Sequence, residues 1–435
     1  MHVLLVGNGA REHAIAEAIT RSPRKPKLYA YMKANNPGIA ALAEKVQLGD
    51  YKAFDAVATF AKDVDFAVIG PEDPLEAGIV DYLEEHGVPC FGPKQDLAQL
   101  ETSKSFTREL FKKYKIPGAP QFKTCFSESE AREFLEKLGA NYVIKADGLQ
   151  GGKGVKLSGE HLKNSAEALA YAAECIRKDG RVVIEEKFVG EEFSIMSFCD
   201  GRTVKDSQPS QDHKRAFDGD CGPNTGGMGS YSTGRLLPFL TEEDIGQAHE
   251  ITVRAAKALR DQVGEEYKGI MYGGFMATAN GVRLVEYNAR FGDPEAMNVL
   301  PLLESDFVEA CEAVINGNLE DVELRFSEKA SVCKYVVPEG YPTNPVKGEK
   351  IEIAGTPKAR VYYASVDKRA DGIYMSSSRA LAFVGIAPTL AEAEKIAQSD
   401  ISKVRGRIAY RKDIGTKALV EKRVRHMREL RKGVQ

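Results

Sequence analysis

The chain has 435 residues, 43% of them hydrophobic, so it is long enough for several domains of roughly 100–200 residues with ample cores. Its net charge of −3 gives no general affinity for polyanions, and we therefore expect no nucleic-acid partner. Seven cysteines without a Cys-x-x-Cys pair favour reduced thiols over a disulfide scaffold or zinc site, and the absence of a signal-peptide pattern or a membrane-length apolar run predicts a cytoplasmic protein with no membrane partner.

The first hundred residues alternate short apolar strands with amphipathic helices. Strands are predicted over residues 2–6, 27–31, 66–69 and 88–91, and helices over residues 11–19, 53–61 and 76–85. This alternation predicts a doubly wound parallel α/β domain, which we place at residues 1–103.

The first predicted strand ends at Gly7-Asn8-Gly9, directly before a helix. Free N–H groups and the helix dipole attract an anion at such a place. The dinucleotide fingerprint Gly-x-Gly-x-x-Gly fails because Glu12 occupies its third glycine position, so NAD binding is a poor interpretation. A phosphate or ribose contact fits better, and a plain tight turn is the alternative.

A glycine-rich segment follows another predicted strand at residues 142–155. The strand delivers Lys145, and the glycines at 148, 151, 152 and 154 leave backbone N–H groups open to phosphate. This is not a Walker A loop, because no serine or threonine follows Lys153. We predict a mobile lid that orders over a nucleotide, with an exposed hairpin tip as the alternative.

Residues 209–231 show neither helical nor strand periodicity. Structureless segments longer than about 12–15 residues in a compact domain are usually functional or disordered. Asp212 and Lys214 offer both signs of charge, and Asn224-Thr225-Gly226 adds an amide, a hydroxyl and bare backbone. The segment is therefore predicted to bind a small zwitterionic or phosphorylated substrate, and a long surface loop is the alternative.

The pattern Glu286-x-Asn288-x-Arg290 lies at the end of a predicted strand. Alternating side chains of a strand share a face, so these three polar groups are expected on one surface. Glu286 and Asn288 carry the hard oxygens that Mg²⁺ prefers beside phosphate. Arg290 has a planar fork suited to a carboxylate or phosphate. A solvated strand face is the alternative for this pattern alone.

From residue 330 the pattern changes to short strands at 332–337, 350–353, 360–365 and 379–384, followed by a helix at 389–398. This predicts a small α+β domain over residues 326–435. The basic tail at 417–432 carries apolar residues at helical spacing, which favours a docked amphipathic helix over a nucleic-acid arm.

Six blocks in this order resemble the phosphoribosylamine–glycine ligase family of the ATP-grasp superfamily. They are residues 7–13 (GNGAREH), 70–75 (GPEDPL), 145–149 (KADGL), 210–215 (SQDHKR), 222–229 (GPNTGGMG) and 290–295 (RFGDPE). Asp413-Ile-Gly415 extends the resemblance close to the end of the chain. The departures are Ala10, Gln150-Gly151 and the basic tail.

The resemblance implies an ATP-grasp fold between the N-terminal and C-terminal domains, with residues 104–190 carrying the lid at about 120–190 and residues 191–325 forming the catalytic sheet. It implies ligation of glycine to 5-phosphoribosylamine through a glycyl phosphate, using ATP and Mg²⁺ or Mn²⁺, in de novo purine biosynthesis. Glycine and 5-phosphoribosylamine are the expected partners, and the expected state is a monomer or weak dimer.

The resemblance also implies roles for individual residues. The expected catalytic residues are Arg290, Lys145, Asp212 and Lys214. The expected ATP contacts are Lys104, Lys145, Gly151, Gly152, Lys153, Gly154, Glu185, Glu186 and Glu192. The expected substrate contacts are Gly9, Arg11, Glu12, Gly70, Pro71, Glu72, Asp212, Lys214, Asn224, Thr225, Gly226, Arg290 and Asp293. The expected metal ligands are Glu286 and Asn288.

Two other classes of protein stay open at this point. A different ATP-grasp carboxylate-amine ligase or a biotin-carboxylase-like enzyme would share the fold, although the chain has no Ala-Met-Lys-Met biotin-acceptor sequence. A dinucleotide-dependent oxidoreductase or a non-catalytic nucleotide sensor is the more distant alternative. The failed third glycine weakens the oxidoreductase, and a metal-ligand pair beside Arg290 would be superfluous in a sensor.

Overall fold

The computed structural model describes residues 1–150 and 154–433. Its N-terminal part alternates strands and helices. The strands are β1 His2–Val6, β2 Lys27–Met32, β3 Lys45–Leu48, β4 Phe66–Ile69 and β5 Cys90–Phe91; the helices are α1 Ala10–Thr20, α2 Pro37–Leu42, α3 Phe54–Phe60, α4 Glu72–Glu76 and α5 Ile79–Glu85. The strands pair in parallel in the order β3-β2-β1-β4-β5.

The predicted doubly wound sheet is confirmed, because alternating side chains of β1 pack into cores on opposite faces of the sheet. Val3 and Leu5 pack into one core, whereas Leu4 and Val6 pack into a second core on the opposite face. The helix predicted over residues 76–85 is wrong in its extent, because Gly78 adopts a left-handed conformation (φ +88°) that divides it into α4 and α5. Helix α2 and strand β3 were not predicted.

A second α/β unit follows helices α6 Gln95–Thr102 and α7 Lys104–Lys113. It contains strands β6 Phe122–Cys125, β7 Tyr142–Ala146, β8 Val155–Leu157 and β9 Val182–Glu186, with helices α8 Glu128–Leu138 and α9 Ser165–Asp179. The strands pair antiparallel in the order β6-β9-β7-β8 and have a core of their own. We call this unit the small sheet.

A larger antiparallel sheet contains β10 Gly190–Cys199, β11 Val204–Asp206, β16 Gly269–Thr278 and β17 Gly281–Asn288, and helix α10 Glu242–Val263 contacts it. The strand order is β11-β10-β16-β17. In β17 the register shifts between Leu284 and Glu286. The strand ends at Asn288, so Glu286 and Asn288 lie on the strand while Arg290 follows it. We call this unit the large sheet.

The expectation that residues 209–231 lack secondary structure is wrong. The segment contains the short strands β12 Gln211–Asp212, β13 Arg215–Phe217 and β14 Cys221–Asn224, and β15 Gly229–Ser232 begins within it. Strands β13 and β14 form a hairpin. Strand β12 pairs with β15, and β15 pairs with a strand of the C-terminal part.

The remaining strands are β18 Ala330–Pro338, β19 Lys350–Ile353, β20 Arg360–Tyr363, β21 Val366–Arg369, β22 Gly372–Met375, β23 Leu381–Ala387, β24 Val404–Arg405 and β25 Ile408–Ala409. The helices are α11 Ala296–Val299, α12 Phe307–Asn316, α13 Leu390–Ile401 and α14 Lys417–Lys432, with 3-10 turns at Leu300–Leu302 and Leu319–Asp321. The main C-terminal sheet has the order β12-β15-β18-β23-β20, and β25 also pairs with β18. A second sheet has the order β21-β22-β19-β24.

The tail forms helix α14, as predicted, and buries Leu419, Val420 and Met427. Helix α14 packs against β10 and β16 of the large sheet. The largest hydrophobic core runs from one face of the N-terminal sheet through the large sheet into the C-terminal sheet. Within residues 1–150 and 154–433, no helix has the length and apolar character needed to cross a membrane.

Candidate active site

A cleft of about 900 Å³ lies between the small sheet and the large sheet. It gathers residues from the N-terminal, central and C-terminal parts of the chain. Among the residues predicted from sequence, those that line it are Arg11, Glu72, Lys104, Lys145, Gly154, Glu185, Glu192, Asp212, Lys214, Asn224, Thr225, Gly226, Glu286, Asn288, Arg290 and Asp293.

The other predicted site residues do not line this cleft. Gly9, Glu12, Gly70, Pro71 and Glu186 are absent from its lining. The predicted ATP contacts Gly151, Gly152 and Lys153 lie outside the described residues.

The buried side chain of Glu12 stabilises the loop between β1 and α1. Its Oε2 accepts a hydrogen bond from the Gly9 N–H (2.6 Å), and its Oε1 accepts one from Arg11 Nε (2.6 Å). A Cβ atom built on Gly70 would lie 2.5 Å from the Glu12 side chain. The glycine at position 70 therefore makes room for this buried carboxylate, and we replace the predicted substrate contact of Glu12 with a role in holding the loop.

Arg290 lies in a buried network of charges. Its Nη2 is 2.8 Å from Glu101 Oε1, its Nε is 3.2 Å from Glu72 Oε2, and its Nη1 donates to the Phe291 carbonyl (3.2 Å). Arg11 approaches the same Glu72 oxygen at 3.7 Å and also donates to the Phe291 carbonyl (3.2 Å). Glu72 therefore joins the two predicted substrate arginines.

The two carboxylates of this network have opposite pKa shifts. Burial alone would raise the pKa of Glu72, but Arg290 and Arg11 outweigh it and lower the pKa to about 2. Burial dominates for Glu101 and raises its pKa to about 7 despite the neighbouring Arg290. Glu72 is thus a fixed anion at neutral pH, and it balances the charge of the arginines.

Lys145 extends from β7 into the cleft between two oxygen atoms. Its Nζ is 2.8 Å from Glu185 Oε2 and donates to the Val285 carbonyl (2.8 Å). Arg108 also binds Glu185, with Nε 2.6 Å from Oε1. Burial would raise the pKa of Glu185, but Arg108 and Lys145 lower it to about 2. Glu185 is therefore ionised at neutral pH, and its carboxylate orients the ammonium group of Lys145.

A second lysine stands at the start of helix α7. Asp147 Oδ1 accepts hydrogen bonds from the backbone N–H groups of Lys104 (2.6 Å) and Ser105 (3.2 Å), which ties the helix N-terminus to the glycine-rich segment. Lys104 Nζ donates to the Gly148 carbonyl (2.8 Å). Lys104 and Lys145 thus reach the cleft from two different elements.

Glu286 and Asn288 both line the cleft from β17, as their spacing predicted. Lys214 Nζ lies 3.8 Å from Glu286 Oε1 and 3.3 Å from Glu192 Oε2. Burial would raise the pKa of Glu286, but Lys214, Lys145 and Lys104 outweigh it and lower the pKa. Glu286 is therefore ionised at neutral pH.

An ionised carboxylate beside an amide oxygen fits a hard divalent cation. Within the described residues, no group of three or more His, Cys, Asp or Glu side chains is arranged to hold a metal ion. Two protein oxygens leave most positions of an octahedral cation to water and phosphate oxygens, which is the usual situation for Mg²⁺ at nucleotide sites.

Asp212, which is half-buried, and Glu295, which is buried, line the same cleft. Burial and the charge of Glu295 raise the pKa of Asp212 well above its ordinary value, and burial also raises the pKa of Glu295. The Tyr272 hydroxyl donates to Glu295 Oε1 (2.8 Å), and the backbone N–H of His213 donates to Asp212 Oδ1 (2.6 Å). Each carboxyl group therefore disfavours the charged form of the other, and a bound cation would favour ionisation of both.

Asp293 is held by the C-terminal part of the chain. Arg379 Nη2 is 3.0 Å from Asp293 Oδ2, and the Tyr335 hydroxyl donates to Asp293 Oδ1 (2.7 Å). Arg379 Nη1 also donates to the carbonyls of Gly226 (2.7 Å) and Gly227 (3.0 Å). Arg379 therefore joins the segment at Gly226-Gly227 to the turn that follows Arg290.

Sequence reasoning missed several residues that line or support the cleft. They are Glu101, Arg108, Asp147, Glu191, Tyr272, Glu295, Arg379, Arg423 and His426. Asp147 and Glu295 stand inside the recognised blocks, so their acidic character was an available signal. Arg379, Arg423 and His426 lie in segments without a motif, and only the fold brings them to the cleft.

Apolar side chains line part of the cleft beside these charges. They come from the glycine-rich segment, the connection between the two sheets and the large sheet, and they include Leu149, Val155, Leu157, Phe188, Val189, Met276 and Val285. A flat aromatic base and a chain of phosphates together require this combination of apolar surface and lysines.

Family models cover most of the chain. The N domain of phosphoribosylglycinamide synthetase matches residues 1–101, its ATP-grasp (A) domain matches residues 102–296, and its C domain matches residues 331–417. The phosphoribosylamine–glycine ligase of Methanosarcina barkeri is 49% identical over 99% of this chain and 100% of the relative. The ligase of that name from Methanocaldococcus jannaschii is also 49% identical over 99% of this chain and 100% of the relative.

Solved structures are similar over the same extent. The phosphoribosylamine–glycine ligase of Thermotoga maritima superimposes with a TM-score of 0.82 and 28% identity, covering 95% of this chain and 100% of that chain. The biotin carboxylase domain of the Hydrogenobacter thermophilus 2-oxoglutarate carboxylase has a TM-score of 0.71 and 16% identity, covering 99% of this chain and 95% of that chain. At that identity the second likeness is one of fold alone.

Proposed function

Because the chain belongs to the phosphoribosylglycinamide synthetase family, we propose that it is an ATP-dependent ligase that joins glycine to 5-phosphoribosylamine. The products are glycinamide ribonucleotide, ADP and phosphate, and the reaction is a step of purine biosynthesis. The observation that carries this assignment is a cleft lined by Lys104, Lys145 and Lys214 together with Glu286 and Asn288, in a chain similar over its full length to ligases of this activity.

The reaction has two group transfers. A carboxylate oxygen of glycine attacks the γ-phosphorus of ATP, and the bond to the bridging oxygen breaks to release ADP. The amine of phosphoribosylamine then attacks the carbonyl carbon of the glycyl phosphate, loses a proton and expels phosphate. Neither step needs a covalent bond to the enzyme, so the protein acts through positioning and charge neutralisation.

The nucleotide is assigned to the space between the two sheets. The apolar side chains lie against the base, the backbone at Glu185 and Glu186 faces the adenine edge, and Glu192 binds the ribose. Lys104 and Lys145 bind phosphate oxygens. The ionic contacts of Lys145 with Glu185 support this role, because they fix the ammonium group in the cleft while leaving a donor for a ligand.

Glu286 and Asn288 would hold a Mg²⁺ or Mn²⁺ ion, which neutralises phosphate charge when bound. The lowered pKa of Glu286 supports this assignment, since a metal ligand must be ionised. Lys214 lies near both Glu286 and Glu192 and would also contact phosphate oxygens.

Arg290, Asp212 and Asp293 are assigned to glycine. Arg290 would bind its carboxylate, and the acidic groups would bind its ammonium group. The phosphoribosylamine side is assigned to Arg11, Glu72 and the loops at Gly9 and Gly70-Pro71. Asn224, Thr225 and Gly226 line the same cleft and are assigned to substrate binding. The network that joins Arg290 to Arg11 through Glu72 supports adjacent sites for the two substrates.

The proposal is tested by measuring ADP release with ATP, Mg²⁺, glycine and freshly generated phosphoribosylamine, omitting each substrate in turn. Sustained ADP release that requires both substrates, with glycinamide ribonucleotide identified by mass spectrometry, is the expected result. Sustained ADP release with bicarbonate and free biotin, and none with glycine, would instead assign the chain to biotin carboxylase chemistry.

We expect backbone hydrogen exchange in the glycine-rich segment to slow when ATP and Mg²⁺ are added. The reason is that amide groups of this segment would donate to phosphate oxygens when a nucleotide is bound. Peptides covering residues 145–155 are compared by mass spectrometry with and without nucleotide, and residues 350–375 of the C-terminal part serve as the control. Unchanged exchange at 145–155, with binding demonstrated in the same sample, would contradict a nucleotide-binding lid.

Three further assignments stay predictions. The domain limits are proposed at residues 1–103, 104–190, 191–325 and 326–435. The oligomeric state is proposed to be a monomer or weak dimer, which sedimentation analysis would test. The cellular location is proposed to be the cytoplasm, where the purine pathway needs the product.

A further inference from the structure

We propose that Arg423 of the C-terminal helix α14 is a positioning residue for the nucleotide end of the active site. This inference rests on the proposed function, because it concerns how the same cleft holds ATP. Arg423 and His426 line the cleft although they stand in the basic tail, whose helix packs against β10 and β16.

Arg423 joins two acidic residues from different elements. Its Nη1 is 3.3 Å from Glu191 Oε2 on β10, and its Nη2 is 2.5 Å from Asp220 Oδ2 in the turn between β13 and β14. The side chains of Arg423, Glu191 and Asp220 are 17%, 5% and 22% exposed, so water screens these contacts only weakly. A planar guanidinium can bridge two carboxylates in this way, whereas a single ammonium group cannot fix the same geometry.

Both partners of Arg423 are connected along the chain to residues assigned to the nucleotide. Glu191 directly precedes Glu192 on β10; both line the cleft, and Glu191 is the one that contacts Arg423 and His426 of helix α14. Lys214 directly precedes the hairpin that carries Asp220, and its carbonyl accepts from the N–H of Thr225 at the other end of that hairpin (2.7 Å).

Glu192 and Lys214 also contact each other, with Lys214 Nζ 3.3 Å from Glu192 Oε2. One guanidinium therefore connects the residue before Glu192 on β10 to the turn of the hairpin that follows Lys214. Fixing both partners limits the positions that Glu192 and Lys214 can take relative to the ribose and the phosphates. A small displacement of such groups can lower catalytic efficiency strongly, because binding depends on their preset geometry.

The remaining contacts of the bridge come from the same region of the C-terminal part. His426 Nδ1 is 2.6 Å from Glu191 Oε1, and Arg411 Nη1 is 3.0 Å from Asp220 Oδ1. These contacts still partly balance the negative charges of Glu191 and Asp220 when Arg423 is replaced. A folded Arg423 variant is therefore expected.

The test compares Arg423→Gln with Arg431→Gln. Arg431 stands on the same helix and binds Asp244 at 2.7 Å, and it does not line the cleft. Arg423→Gln is expected to raise the KM for ATP about ten-fold, with the kcat and the KM for glycine changed by less than about three-fold. Arg431→Gln is expected to leave all three constants close to those of the wild type.

A second readout does not depend on turnover. The Kd for ADP, measured by calorimetric titration, should rise by the same factor as the KM for ATP in Arg423→Gln. The Glu191→Gln/Arg423→Gln double variant should show no larger change than the more affected single variant, because both substitutions break one contact. Asp220→Asn should shift the KM for ATP in the same direction by a smaller factor, and it replaces Arg423→Gln as the test if that variant does not fold.

The inference is overturned if the KM for ATP and the Kd for ADP are unchanged in folded Arg423→Gln, or if Arg431→Gln raises them equally. The second result would show that helix α14 acts only through its general packing. Failure of the proposed function looks different, because the wild-type protein would then release no ADP in the presence of glycine and phosphoribosylamine.

Discussion

Replacement of Glu286 with alanine is expected to lower kcat about 100-fold, which corresponds to roughly 3 kcal/mol of transition-state stabilisation. Glu286 supplies the charged oxygen of the proposed metal pair, and Asn288 alone is a neutral and weaker ligand. The fold should survive, because Lys214 keeps its contact with Glu192 when Glu286 is removed.

Two measurements separate this effect from general damage. The affinity for Mn²⁺ in the presence of ADP, followed by electron paramagnetic resonance, should fall in Glu286→Ala. Glu352→Ala, which changes an exposed glutamate on β19, is the matched control and should behave like the wild type. Turnover close to the wild-type rate in folded Glu286→Ala would remove the metal assignment.

Arg290→Lys is expected to lower kcat/KM for glycine by about 100-fold, although the charge is retained. The guanidinium of Arg290 spans Glu72, Glu101 and the Phe291 carbonyl, and a lysine ammonium cannot reach all three acceptors in the same geometry. Steady-state kinetics with glycine varied at saturating ATP measures the effect. Arg325→Lys, at an exposed arginine that contacts Glu323, is the control.

Arg11→Ala is the complementary substitution for the phosphoribosylamine side. It should raise the KM for phosphoribosylamine most, as a contact remote from the reacting carboxylate contributes mainly uniform binding. The structure adds a smaller effect on glycine, because Arg11 and Arg290 share Glu72. If Arg11→Ala impaired glycine and Arg290→Lys impaired only phosphoribosylamine, the two substrate sites would be assigned the wrong way round.

The N-terminal fold was predictable because its strands are short apolar runs between amphipathic helices. The exception is β3, in which three of the four residues are exposed and no apolar run marks the strand. It forms as the edge of the sheet by pairing with β2. Such a strand is determined by its neighbour more than by its own side chains.

The strands between residues 209 and 232 escaped prediction for a related reason. Each is two to four residues long and lies among glycine, proline and asparagine, which locally indicate turns. Strand β15 forms because β18, about a hundred residues later in the chain, offers a partner. Sequence reasoning from local windows does not detect a pairing of this separation.

The candidate site was predictable where one motif supplied several groups, as at Glu286, Asn288 and Arg290. It was not predictable where a distant residue completes the motif. Arg379 holds Asp293, and Glu101 holds Arg290, yet neither stands in a pattern that differs from an ordinary surface or helix segment. A charged residue that is buried needs a partner of opposite charge. The sequence therefore indicated that Asp293 and Arg290 would have partners, but it did not identify them.

The pairing of β15 with β18 has a consequence for dividing the protein into fragments. A fragment beginning near residue 326 would lack β12 and β15 and would expose residues 331–334 of β18, which pair with β15 in the intact chain, as an open sheet edge. All nine residues of β18 are buried in the intact chain, and an open apolar edge is a template for aggregation. We therefore expect the C-terminal part and the part that precedes residue 326 to unfold in one calorimetric transition. The two fragments made by dividing the chain near residue 326 should be recovered only when they are co-expressed.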